Sequence, residues 1–125
     1  MKGHTVQCVG FDCGNSSIRT VIGIYDGSGI RMNVVNQVPN QAVTVNGVNY
    51  WDILNIFHEL QNGLKMAYEQ YGRIDSAGIS TWGIDFGMLG ASGHLLGNPL
   101  CYRNEFGVRG LESADEEKRK KLFTL

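Results

Sequence analysis

The chain has 125 residues, 42% hydrophobic and 18% charged, a balance that supports one packed core and excludes intrinsic disorder. Eleven Lys and Arg against twelve Asp and Glu leave a net charge of −1, so no basic field invites nucleic acid. No apolar run approaches the roughly 18 residues that a membrane span needs, which argues against a membrane partner.

Taken in order, the first forty residues predict three strands. Val6 to Asp12 is an apolar run that ends in the turn chemistry of Asp12-Cys13-Gly14-Asn15. Ile18 to Tyr25 is rich in β-branched residues, and Asp26-Gly27-Ser28-Gly29 is a hairpin signal leading into Ile30 to Val38. Connections this short require an antiparallel meander, since a parallel pair needs a long crossover. Val43 to Val48, around Asn46-Gly47, predicts a further short hairpin.

From Asp52 to Tyr71 the period changes to that of a helix. Ile53, Phe57, Leu60, Leu64, Ala67 and Tyr71 fall on one face, with Asp52 as N-cap and Gly72 just past the end. Gly63 inside this helix weakens it by about 1 kcal/mol relative to Ala, a cost that close packing on a sheet would explain. Ile74 to Trp82 reads as a fourth strand, parallel to one of the first three because a helix precedes it. Gly83 to Leu89 continues extended, Gly90 to Gly93 turns, and His94 to Leu96 returns as a hairpin partner.

The tail carries a capping box at Ser113-Ala114-Asp115-Glu116, followed by a solvated face from Glu116 to Lys121. It ends on Leu122-Phe123-Thr124-Leu125 without a helix stop signal, as expected of a chain that is part of something longer. Uncovered sheet edges and that apolar end then predict self-association, burying Leu122 and Phe123. Cys8, Cys13 and Cys101 are an odd number with no C-x-x-C spacing, so neither a disulfide framework nor a zinc knuckle is indicated. The short apolar patch near the start does not read as a secretory leader, and a reducing cytoplasm is the expected compartment. His4, His58 and His94 share no ligand spacing, and His58, beside the apolar stripe, is expected to be structural.

Two constellations carry chemistry. In Asp12-Cys13-Gly14-Asn15-Ser16-Ser17-Ile18-Arg19, Gly14 lets backbone come close while Ser16 and Ser17 add donors, and Arg19 adds a cation, as a phosphate requires. The Asp12 carboxylate makes sense beside phosphate only if Mg²⁺, usually through water, lies between them. In Thr81-Trp82-Gly83-Ile84-Asp85-Phe86-Gly87, Gly83 exposes backbone, Asp85 accepts from hydroxyls and Trp82 offers a flat apolar face, a set suited to a sugar. Each also has a plain structural reading, as a polar hairpin turn and as a Trp buried in a Gly-flanked bend. A third patch is Tyr102-Arg103-Asn104.

The residues 12–19 resemble the N-terminal phosphate loop of the FGGY carbohydrate kinases. Tyr50-Trp51-Asp52, Arg73 to Ile79, Thr81 to Gly87, Leu95 to Pro99 and Tyr102-Arg103 continue the likeness in order, over roughly residues 6–110. The strand order resembles the ribonuclease H-like half of actin-like ATPases. The implied fold is therefore α/β, a mixed sheet with three antiparallel strands, then helix and parallel strand, and incomplete as a domain. The resemblance implies transfer of the ATP γ-phosphoryl group to a hydroxyl of a ketose such as L-rhamnulose, with Mg²⁺, in a cleft between two actin-like domains. It implies nucleotide contacts at Asp12, Gly14, Asn15, Ser16, Ser17 and Arg19, and sugar contacts at Gly83 with Trp82 and Asp85. Asn104 stands where the family usually has Asp, which puts any role for that carboxylate in doubt. The family's general base, second phosphate loop and adenosine pocket lie beyond Leu125, so residues 1–125 alone are expected to be inactive.

Two other readings remain. Asp12 and Asp85 at strand ends also suit a metal-dependent ribonuclease H-like nuclease, which the charge balance disfavours. A non-catalytic module that holds nucleotide or sugar is the other.

Overall fold

The computed structural model of the chain describes residues 5–105 together with Asp115, Glu116 and Lys120. Strand β1 (Val6–Cys13) alternates, with Val9, Phe11 and Cys13 buried and Gly10 and Asp12 exposed. Its antiparallel neighbour β2 (Ser17–Tyr25) buries Ile18, Thr20 and Ile22 on the same face. At the turn into β3 (Ile30–Pro39), the Asp26 carboxylate accepts from the Ser28 hydroxyl at 2.7 Å and from the amides of Ser28 and Gly29. Those hydrogen bonds, the Ser28 hydroxyl foremost, hold its carboxyl down to about 2.

β4 (Val43–Val45) and β5 (Val48–Tyr50) form a separate two-stranded ribbon. Asn46 and Gly47 connect them with φ of 50° and 76°, the left-handed pair that an Asn-Gly hairpin turn requires. Helix α1 (Ile53–Tyr71) begins where the Asp52 side chain accepts from the Asn55 amide at 3.2 Å. It ends where Gly72, at φ 77°, donates its amide to the Tyr68 carbonyl. β6 (Ser76–Ser80) then pairs parallel with β1, giving the sheet order β3-β2-β1-β6. The expected meander, ribbon, helix and parallel strand are all present.

Three details differ from expectation. The buried face of α1 carries Ile56, Gly63 and Ala67, while Phe57 and Leu64 of the expected stripe are exposed. The reason is Gly63: a Cβ there would lie 2.0 Å from the Thr20 Oγ1, so the helix backbone itself rests on β2 and rotates the stripe toward Ile56. His58 is exposed on the outer face. β6 stops at Ser80 rather than Trp82, and the hairpin beyond it is reduced to a single bridge between Leu89 and Leu95, closed by the Gly90 amide donating to the His94 carbonyl.

Two apolar clusters lie between sheet and helix. Val9, Phe11, Ile22 and Ala67 form one, and Cys13, Ile18, Trp51, Ile56 and Cys101 the other. α1 covers β1 to β3 and leaves β6 bare, all five of its residues being exposed. An open groove of about 710 Å³ runs between α1 and β6, with Leu64, Tyr68, Ile74 and Ala77 in its walls. No helix among the described residues is long and apolar enough to cross a membrane. Of the tail, Glu116 and Lys120 form an i,i+4 ion pair at 3.2 Å. The rest of the expected capping box, and Leu122 and Phe123, lie outside the described residues.

Candidate functional site

Because β1 and β6 are parallel, with Asp12 opposite Ser80, their carboxyl ends finish side by side. The turn after β1 and the loop after β6 therefore open on one edge of the sheet, where ligands of open α/β sheets sit.

The turn is closed from within. The Gly14 amide donates to the Ser17 carbonyl at 2.9 Å, and a Cβ on Gly14 would lie 3.3 Å from that oxygen. Gly14 thus suits the tight turn, and its own N–H, already given to Ser17, is not available to a phosphate. Asn40, only 5% exposed, braces the turn twice: Nδ2 donates to the Gly14 carbonyl at 2.7 Å and its amide to the Ser16 carbonyl at 3.0 Å. Among the described residues, Ser16 is exposed and Ser17 half-buried at the mouth of this turn.

Asp12 and Arg19 face each other across β1 and β2, with Nη1 of Arg19 3.3 Å from the carboxylate and both side chains about half exposed. A pair so wet contributes little, roughly 0–1 kcal/mol, so Arg19 is cheap to redirect toward an anion. Asp12 fits Mg²⁺ as one exposed hard oxygen donor reaching through water, not as part of a protein cage. No cluster of three or more potential ligands occurs among the described residues. Cys13 beside it is inert, since burial, and then the Asp12 charge, pushes its thiol up.

On the helix side, Trp82 does not offer both faces to a ligand. It stacks on Trp51, with ring centroids 3.9 Å apart and planes 11° from parallel. Trp51 Nε1 donates to the Asp85 carboxylate at 2.6 Å, and Trp82 Nε1 donates to Asn15 Oδ1 at 2.6 Å. The other end of the Asn15 amide donates to the Tyr102 hydroxyl at 3.0 Å, which also accepts from Arg103 Nε. Arg103 first, and Asn15 after it, draws the Tyr102 phenol below its ordinary value. The turn after β1 and the loop after β6 are therefore one hydrogen-bonded unit.

Asp85 also lines a cavity of about 640 Å³, walled by Ile84, Phe86, Leu96, Asn98 and Tyr102 among others. Gly83 beside it is exposed, and a Cβ built there meets nothing within 4 Å. Asn104 explains its own identity. Its Oδ1 accepts from the Asn49 amide while Nδ2 donates to the carbonyls of Asn49 and Cys101, and an aspartate has no N–H for the latter two. Asp12 and Asp85 are held apart in function: one pairs with Arg19 on the sheet face away from α1, the other is tied to Trp51 on the helix side. That arrangement does not support a shared two-metal centre. Asn40 and Trp51 were not legible as site residues, because Asn40 follows Pro39 as an ordinary turn residue and Trp51 precedes a helix cap. A spacing signal for either is absent, since their partners lie 26 and 34 residues away.

No family model matches the chain. The rhamnulokinase of Bacteroides thetaiotaomicron is 37% identical over 102 residues, which is 82% of this chain and 21% of that protein. The rhamnulokinase of Klebsiella pneumoniae strain 342 is 32% identical over 113 residues, 89% of this chain and 23% of its own. The crystal structure of gluconate kinase from Lactobacillus acidophilus has the same fold over 89% of this chain and 22% of its own, with a TM-score of 0.66 at 21% identity. Ligand-bound xylulose kinase from the same organism gives 0.64 at 21% identity, over 86% of this chain and 22% of its own. The chain is thus similar in sequence to rhamnulokinases and shares its fold with sugar kinases, and it spans about a fifth of the length of the relatives it matches.

Proposed function

We propose that the chain is the N-terminal part of the first actin-like domain of an ATP-dependent sugar kinase that phosphorylates a ketose hydroxyl, with L-rhamnulose the favoured sugar. The observation that carries this is the unit joining Asn15 of the turn, through Trp82 and Trp51, to Asp85 at the cavity. Phosphoryl transfer is mainly positioning and charge stabilisation, and this unit holds a phosphate-facing turn and a hydroxyl-facing carboxylate in fixed relation. Ser16, Ser17 and Arg19 meet the nucleotide phosphates, while Gly83 backbone and the Asp85 carboxylate orient the sugar. Mg²⁺, when bound near Asp12, neutralises phosphate charge. The general base and the second domain lie outside this sequence, so residues 1–125 alone bind without turnover in a coupled ADP-release assay. Three free cysteines are in keeping with a reducing cytoplasm.

Calorimetric titration with ATP, with and without Mg²⁺, tests the nucleotide half. Asp12→Asn weakens ATP–Mg²⁺ binding by about tenfold, roughly 1.4 kcal/mol, and leaves metal-free ATP binding equal or tighter because a repelling charge is gone. An equal loss with and without metal would show that Asp12 does not read the cation.

The bare strand β6 and the groove beside α1 are the surface on which further chain, or a second copy, packs. At concentrations where the chain is isolated, sedimentation velocity shows association that Ile79→Lys reduces, Ile79 being 63% exposed on β6. A monodisperse monomer at all concentrations would count against this.

A further inference from the structure

Trp51 belongs to neither sugar nor nucleotide by direct contact, yet it joins both sides. The residue is 3% exposed, packed among Cys13, Ile18, Ile56 and Cys101. A buried indole N–H needs an acceptor, and a backbone carbonyl would serve. Here the acceptor is instead a carboxylate that lines the cavity. An indole donates and never accepts, so the Trp51 N–H fixes which way Asp85 turns one oxygen and leaves the other to the cavity. The stack then passes that constraint to Trp82, whose N–H dictates that Asn15 presents Oδ1 inward and Nδ2 to Tyr102. Asp85 and Asn15 are 70 residues apart in sequence and have two rings between them.

We propose that Trp51 is a positioning residue for sugar binding, which sets the Asp85 carboxylate and, through its stack on Trp82, makes ketose occupancy felt at Asn15 in the phosphate turn. This rests on the sugar-kinase reading above. Removing the N–H while keeping an aromatic ring frees Asp85 to rotate, so the sugar is bound by a carboxylate that must first be ordered. The nucleotide side keeps Ser16, Ser17 and Arg19 and is little affected.

The chain holds only two tryptophans, both in the stack, so indole N–H signals report on this unit alone. In ¹H–¹⁵N spectra of the intact chain, L-rhamnulose shifts both indole cross-peaks along one saturable curve, and ATP–Mg²⁺ shifts that of Trp82. By calorimetry, Trp51→Phe raises the L-rhamnulose Kd about tenfold and leaves the ATP–Mg²⁺ Kd within about twofold. Asp85→Asn, which keeps a weaker, neutral acceptor for the indole, moves the Trp51 cross-peak while leaving that N–H hydrogen-bonded, and weakens the sugar but not ATP–Mg²⁺. L-rhamnulose heat with no movement of either indole peak would overturn the proposal while leaving the kinase reading intact, and needs no variant to fold. An unchanged sugar Kd in Trp51→Phe would do the same. No heat with any ketose would overturn both.

Discussion

Gly63→Ala lowers the stability of the chain, although alanine is the better helix former. The propensity gain is about 1 kcal/mol. Against it stands a Cβ placed 2.0 Å from Thr20 Oγ1, 3.0 Å from its Cβ and 3.2 Å from its Cγ2. Rotating χ1 of Thr20 moves the oxygen and methyl but not the Cβ, and Thr20 is 1% exposed with no room to withdraw. The helix must lift from β2, loosening the contacts of Ile56 and Ala67, at an overpacking cost of about 3 kcal/mol. The net loss of about 2 kcal/mol lowers the thermal midpoint by about 8 °C, read by circular dichroism. Adding Thr20→Ala returns part of that loss, and the double-mutant cycle gives a favourable coupling above about 1 kcal/mol. An unchanged or higher midpoint for Gly63→Ala would mean that helix and sheet are not in this contact.

Gly83→Val separates fold from ligand. A Cβ at Gly83 meets nothing within 4 Å, and its φ lies outside the left-handed region. The chain therefore tolerates the side chain, and loss of unfolded-state freedom stabilises it slightly, by about 0.5 kcal/mol. The open space above Gly83 is where, on the proposed function, a sugar approaches the backbone. A branched side chain there costs the ligand about 2–3 kcal/mol, which is about 30- to 150-fold in affinity. A melting temperature held or raised, with sugar binding lost, is the expected pair of results. If stability falls with affinity, Gly83 is a structural residue of the bend.

Much of this was legible because it is local. Asp26-Gly27-Ser28-Gly29 and Asn46-Gly47 announce hairpins through backbone conformations that few residues adopt, and both are found. Asp52 and Gly72 bracket the helix for the same reason. The parallel pairing of β6 follows from the helix that precedes it. The helix face was legible only to within one position, since Phe57 and Ile56 are equally apolar and the choice is made by Thr20 on a distant strand. At the site, the turn and the loop after β6 are visible as motifs, but the pieces that join them are not. Trp51 to Asp85, Trp82 to Asn15 and Asn15 to Tyr102 span 34, 67 and 87 residues, and such contacts leave no local pattern. Asn15 is tied into this unit through its side chain, at both ends of its amide.

Calorimetric titration of L-rhamnulose into the chain, run in parallel with Gly83→Val, puts the proposal of a sugar site at the carboxyl ends of β1 and β6 to the most direct trial. A saturable heat in the wild-type chain that disappears in Gly83→Val, with both proteins equally folded by circular dichroism, is the expected result. A silent titration of the wild-type chain, or equal heats from the two, would contradict it.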